Sequence, residues 1–186
     1  MIDDSVATDK PPCLFEENNA MLLSGVAVLA GLRPEVYACV DSRCLGGSIG
    51  GHVRHCVEFY RSFLTGLDTG FLDYDARARD PRLENDPNSA CEVMRQTARW
   101  LSVAASHEDT DRSLNIVENH DGGEPVWSPS SVGRELRFLL SHTVHHYALI
   151  AILLRLRGIK TPEGFGIAPS TLRYRKRPTP STPCAR

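Results

Sequence analysis

Apolar residues recur at helical spacing in four stretches of the chain, and polar or glycine- and proline-rich segments separate them. From about residue 16 to 32, Met21, Leu22, Val26, Leu29 and Ala30 stand three or four apart, and Gly31 and Pro34 punctuate the end. Ser48 is placed to cap a second helix from about 49 to 67, on which Ile49, Cys56, Phe59 and Phe63 share one face. Gly66 and Gly70 form its stop. Asp86 and Pro87 open a third helix whose buried stripe is Ala90, Met94, Thr97, Ala98 and Leu101, fading by Ser106. Ser128-Pro129-Ser130-Ser131 announces the last and longest helix, about 132 to 157, with Arg155 and Arg157 in its final turn and Gly158 beyond.

The connections are long. Residues 73–81 are densely charged and lack an apolar period, which reads as a loop or a short helical turn. Between the third and fourth helices, Leu114 to Val117 and Val126-Trp127 read as two short strands around an Asp121-Gly122-Gly123 turn. The pattern predicts an all-α fold, a four-helix bundle with long connections and a short β-hairpin between helices three and four. Residues 1–14 form a loose lead-in, 15–172 the folded domain, and 173–186 a basic, proline-rich tail expected to be disordered. Within the domain, the segment from Phe165 to Leu172 carries enough apolar residues to dock back on the bundle.

Length narrows the picture further: 186 residues suffice for one sizeable core without staples. The longest unbroken apolar run, Tyr147 to Leu154, is eight residues, against roughly 20 for a membrane span, so no membrane is expected. The formal net charge is -2, which offers no field to recruit nucleic acid. The six cysteines include no C-x-x-C pair, and the acidic start Met-Ile-Asp-Asp lacks a basic stretch before an apolar core. Reduced thiols in a cytoplasmic protein are expected. Cys56 and Cys91 are read as small core hydrophobes, Cys56 inert because a buried thiol has a raised pKa.

Five of the seven histidines fall in two short clusters, His52/His55 and His142/His145/His146. His142 and His146 are four apart, so on a helix they share a face with about 5–6 Å between Cβ atoms. Glu135, Phe138, Leu139, Leu149 and Leu153 lie near the same azimuth, so the pair faces inward. Buried imidazole nitrogens need partners, since leaving one unsatisfied costs about 1–3 kcal/mol. A metal ion can satisfy them. A third imidazole from the second helix would complete a site with open positions for water or substrate, the pattern of catalytic rather than structural sites. Three histidines suit Zn, Fe, Ni or Mn. Periodicity slightly favours His52 as the third ligand; spacing leaves His52 and His55 both open.

The run Ser48-Ile-Gly-Gly-His-Val-Arg-His55-Cys-Val-Glu, with Leu140-Ser-His142-Thr-Val-His-His146-Tyr-Ala-Leu-Ile about ninety residues later, resembles the DinB-like superfamily. That superfamily includes bacillithiol- and mycothiol-dependent enzymes. The resemblance covers about residues 18 to 158. It implies a four-helix bundle holding one divalent metal on His55, His142 and His146, with His52 at a position that is usually apolar. His52 and Glu135 then become candidate catalytic groups beside the metal. Glu135 is also placed to hydrogen-bond an imidazole N–H. Arg77 and Arg79 are candidates to clamp an anionic group of a bound low-molecular-weight thiol, and Tyr74 to donate a hydrogen bond to it. The bland alternative for these arginines is a salt-bridged loop. The implied reaction is thiol transfer to, or thiol-assisted rearrangement of, a small molecule, with hydrolysis and iron redox chemistry open. The rival reading is a non-catalytic helical bundle, with a structural metal or none, that acts through oligomerisation or partner binding. A short apolar face on the bundle is compatible with a homodimer.

Overall fold

The computed structural model describes residues 13–44, 46–118 and 125–176. Four long helices dominate: α1 (Leu14–Leu29), α3 (Ile49–Thr69), α5 (Pro87–Ala104) and α6 (Val132–Leu156). Short helices α2 (Pro34–Tyr37), α4 (Pro81–Asn85) and α7 (Pro169–Arg175) lie between and after them. α1 packs against α5 and α6, and α3 packs against the same two, so the four close around a common core. Leu22, Leu29, Ile49, Tyr60, Phe63, Leu101, Leu139 and Leu153 fill it.

The helix ends form for the reasons the sequence states. Ser48 Oγ accepts from the backbone N–H of Gly51 at 2.9 Å and starts α3. Asp86 accepts from the N–H groups of Asn88 and Ser89, with Pro87 in the first position of α5. Gly70 ends α3 in the left-handed conformation (φ 77°). Gly66 takes part through its carbonyl, which accepts from the Gly70 N–H at 2.8 Å. It lies inside α3, where an added Cβ would stand 3.0 Å from the carbonyl oxygen of Phe71, and so lets the following segment cross closely.

That segment is a strand the sequence does not announce. β1 (Phe71–Leu72) pairs in parallel with β2 (Ser113–Glu118), which pairs antiparallel with β3 (Val126–Ser131). The expected hairpin is present. Ser128 to Ser130, read as a lead-in to the last helix, belong to β3, and Ser131 serves both as the last strand residue and as the cap of α6. The Asp121-Gly122-Gly123 turn, most of the lead-in and the end of the tail lie outside the described residues. After α6 the chain folds back: Phe165 stacks on Tyr147 at 4.8 Å and α7 follows, carrying Arg173 and Arg175.

α6 is long and apolar enough by composition to cross a membrane, although its unbroken apolar run is short. Its packing on α1 and α3 and the histidines along it give it the place of a core helix.

Candidate metal centre

α3 and α6 run antiparallel where they meet, because the pairing rises along one as it falls along the other. His52 faces His146, with Nδ1 to Nδ1 at 3.0 Å, and His55 faces His142, with Nε2 to Nε2 at 3.1 Å. The four-residue spacing on α6 brings Nε2 of His146 to 3.1 Å from Nε2 of His142. One ligand atom each from His55, His142 and His146 therefore lies within 4.8 Å of the others. Of the two readings of the second helix, this geometry places His55 at the meeting point, and His52 behind His146.

The donors suit a divalent cation. Nitrogens about 2.1 Å from one ion stand about 3.0–3.4 Å apart at bond angles between right and tetrahedral. The two 3.1 Å separations fall in that range. Among the described residues the cluster includes no fourth cysteine, aspartate or glutamate. His142 Nδ1 and His52 Nε2 are buried without hydrogen-bond partners. The half-buried rings are also held neutral. Burial, then the neighbouring His142, brings His55 down to about 4, and burial with His142 and His55 brings His146 down to about 3. His52 and His142 shift the same way, mainly by burial. Neutral imidazoles are the form that ligates metals.

An aromatic frame fixes the rings. Phe59, one turn beyond His55, stands 4.5 Å from the rings of both His55 and His142. Phe138, one turn before His142, stacks on it at 5.4 Å and 16°. Tyr74 stacks on the other side of this group, 4.7 Å from Phe59. The sequence treats Phe59 and Phe138 only as stripe residues. Their i,i+4 offset from a histidine is the signal that marks them as ring supports.

The other candidates fall in different places. Glu135 is fully buried, and its carboxylate accepts from Tyr74 Oη (2.9 Å), Ser130 Oγ (2.5 Å) and Arg134 (2.7 Å). None of these donors is an imidazole, so Glu135 does not orient a ligand histidine as expected. It anchors the 73–80 loop and β3 to the start of α6. The Tyr74 hydroxyl is correspondingly spent on Glu135, and what Tyr74 offers the site is its ring face. Arg77 does approach the cluster. Its guanidinium lies 5.1 Å over Phe59, and its charge contributes to lowering His55 and His142. It donates to the Tyr74 carbonyl at 2.6 Å and stands 3.9 Å from the buried carboxylate of Glu58. Arg79 is exposed, in left-handed backbone (φ 51°), with no hydrogen bond or ion pair to another described residue. Arg82 pairs with Asp80, as a salt-bridged loop requires.

Sequence reasoning passed over Glu58. Its Oε1 accepts from the Asp80 N–H at 2.6 Å, so one buried acid on α3 seats the loop that carries Tyr74 and Arg77. A lone glutamate beside Val57 and Phe59 was the available sign. Cys56 is buried, and burial pushes its thiol up. The five described cysteines are all free.

FK506-binding protein 5 of Rhizopus delemar is 33% identical over 107 residues, which make up 57% of this chain and 28% of that protein. This chain thus spans less than a third of that relative's length. No solved structure matches significantly. The DinB family model matches residues 18–167, a stretch that starts in α1 and takes in both histidine segments; the chain belongs to the DinB family.

Proposed function

We propose that the protein is a metal-dependent enzyme in which His55, His142 and His146 hold one divalent ion of the Zn, Fe, Ni or Mn type. The observation that carries this is the convergence of three neutral imidazoles with no fourth protein ligand among the described residues. Three ligands leave coordination positions open, whereas structural sites are closed by four. Bound there, the ion would supply Lewis-acid activation, lowering the pKa of a thiol or water in an open position.

The chain's own groups divide the remaining work. Phe59 and Phe138 hold the imidazole planes and offer an apolar wall to a small substrate. Arg77 is 17% exposed, and it is the cation that would face an anionic group entering beside His55 and His142. Tyr74 packs under that wall and is fixed by Glu135. The nucleophile proposed is a low-molecular-weight thiol, on the resemblance of the two histidine runs to a superfamily that includes thiol-dependent enzymes. The reaction proposed is transfer of that thiol to a small electrophile, or thiol-assisted rearrangement of one. The free cysteines are compatible with a reducing compartment, and we place the reaction in the cytoplasm.

The test uses full-length protein purified without an affinity tag. Elemental analysis after dialysis against each metal should give about one equivalent per chain. His55→Ala and His146→Ala should lose the metal and keep their helical circular dichroism. Adding a low-molecular-weight thiol to cobalt-substituted protein should then produce a sulfur-to-metal charge-transfer band, because an open position accepts thiolate. Wild-type protein that takes up none of the four metals overturns the metal centre. A cobalt spectrum indifferent to thiol overturns the thiol chemistry and favours a non-catalytic role.

A further inference from the structure

A cleft lies along α3 beyond the histidines. Glu58, Arg61, Ser62 and Thr65, spaced to share one face of that helix, form one wall, and Asp73 and Arg77 of the following loop line the other. Its volume is about 330 Å³, at the small end of the roughly 300–1,000 Å³ typical of small-molecule sites. Arg77 is the link to the metal centre, since its guanidinium also lies over Phe59, whose ring meets His55 and His142.

Two charged groups in the cleft are uncommitted. Glu58 is only 3% exposed. Its Oε1 is taken by the Asp80 N–H, but Oε2 is buried and has no hydrogen-bond partner. Arg77 Nε stands 3.9 Å from that oxygen, too far to donate to it. A buried charged oxygen left without a donor is costly, and this one is closed to bulk water, so a donor must reach it from within the cleft. Arg61 is the second group. It has no hydrogen bond or ion pair to another described residue. Its charge is felt at Asp80, the residue bonded to Glu58, which puts the guanidinium on the cleft side of α3.

The balance of charge selects the ligand. Glu58 and Asp73 oppose Arg61 and Arg77 around the same small space. A simple anion drawn to Arg61 would meet the Glu58 carboxylate, and a simple cation drawn to Glu58 would meet two guanidinium groups. A molecule carrying both signs satisfies both ends. We propose that this cleft binds a small zwitterion of the amino-acid class, whose ammonium donates to Glu58 Oε2 and whose carboxylate accepts from Arg61. The hydroxyls of Ser62 and Thr65 lie in the same wall and add donors for the carboxylate. The site stands on its own donors and acceptors and needs no metal at the histidines.

The experiment is amide proton–nitrogen NMR on full-length, metal-free protein, so that an amino acid cannot act by chelating an ion. The probes are glycine, β-alanine and 4-aminobutyrate, which differ in the distance between the two charges, with propionate and propylammonium as single-charge controls at equal ionic strength. At least one zwitterion should shift the amides of Ser62, Thr65 and Arg77 saturably, and each control should bind at least about tenfold more weakly. Glu58→Gln keeps an oxygen for the Asp80 N–H and removes the charge; Arg61→Ala removes the cation. Each should weaken binding about 10–100-fold. Should Glu58→Gln fail to fold, Arg61→Ala and the controls decide. No saturable shift with any zwitterion, shifts confined to the histidine segments, equal binding of a control, or undiminished binding by folded Arg61→Ala overturns the proposal. None of these results bears on metal uptake, so this site and the metal centre stand or fall separately.

Discussion

Tyr74 donates its phenolic hydrogen to Oε2 of Glu135 across 61 residues of sequence, at 2.9 Å. The bond pins the 73–80 loop to the first turn of α6, and the Tyr74 ring then supports Phe59 against two of the histidines. Hydrogen bonds to charged, buried acceptors contribute about 1.5–3 kcal/mol. Tyr74→Phe keeps the ring and leaves Glu135 its two other donors, so urea denaturation should show a loss of about 1–2 kcal/mol. Glu135→Leu strips the acceptor from three donors at once and should cost more than Tyr74→Phe. Equal losses would show that Glu135 does not organise this corner.

The stability of the metal-free protein should depend on pH in a defined window. Folding holds His55 down to about 4 and His146 down to about 3, while an unfolded imidazole titrates near 6.5. Below pH 6.5 the unfolded chain therefore binds protons that the folded chain refuses. Stability is fully present above about 6.5 and falls as pH drops toward 4 and then 3. Urea midpoints measured from pH 8 to pH 5 should decline below 6.5, and His55→Gln should flatten the decline. A midpoint that rises on acidification would mean that the cluster gains protons on folding.

Much of this was legible along the chain because helical periodicity and caps are local. Ser48, Asp86 with Pro87, and Gly158 each satisfy backbone groups within a few residues, so the boundaries of three long helices could be read directly. His142 and His146 were legible for the same reason. The choice between His52 and His55 was not, because it depends on how α3 is rotated against α6, a relation between helices far apart in sequence. β1 was hidden because two residues carry no period. It exists through pairing with β2 and through the small Gly66 beneath it. Glu135 was misread because its azimuth matched the histidines, while its actual donors come from a loop and a strand whose approach no spacing rule describes.

Gly50 tests the close packing at the start of α3. A Cβ there would lie 1.9 Å from the backbone carbonyl oxygen of Glu84 and 2.7 Å from the Tyr37 ring. Neither can yield cheaply, because Tyr37 is buried and its hydroxyl is bonded to the Leu83 carbonyl at 2.6 Å. Overpacking of this kind costs about 1–3 kcal/mol or more. Gly50→Ala should lower the thermal midpoint clearly. It should also loosen the His52/His55 turn that follows, read as weaker zinc uptake. Gly46→Ala has open space around its added Cβ and meets only the strain of a positive φ (72°), so its loss should be the smaller of the two.

Thiol reactivity should separate the five described cysteines by burial, not by position along the chain. Cys13 and Cys39 are exposed, Cys44 is half-buried, and Cys56 and Cys91 are buried with thiols pushed up in pKa by desolvation. Alkylation needs thiolate and access. Mass mapping after brief treatment of the native protein with iodoacetamide at pH 8 should find Cys13 and Cys39 modified first and Cys56 unmodified until denaturant is added. Cys56 is adjacent to His55, so this also bears on the centre. Native-state modification of Cys56 would reveal a reactive thiolate beside the imidazoles, and the nucleophile would then belong to the chain itself instead of to a bound thiol.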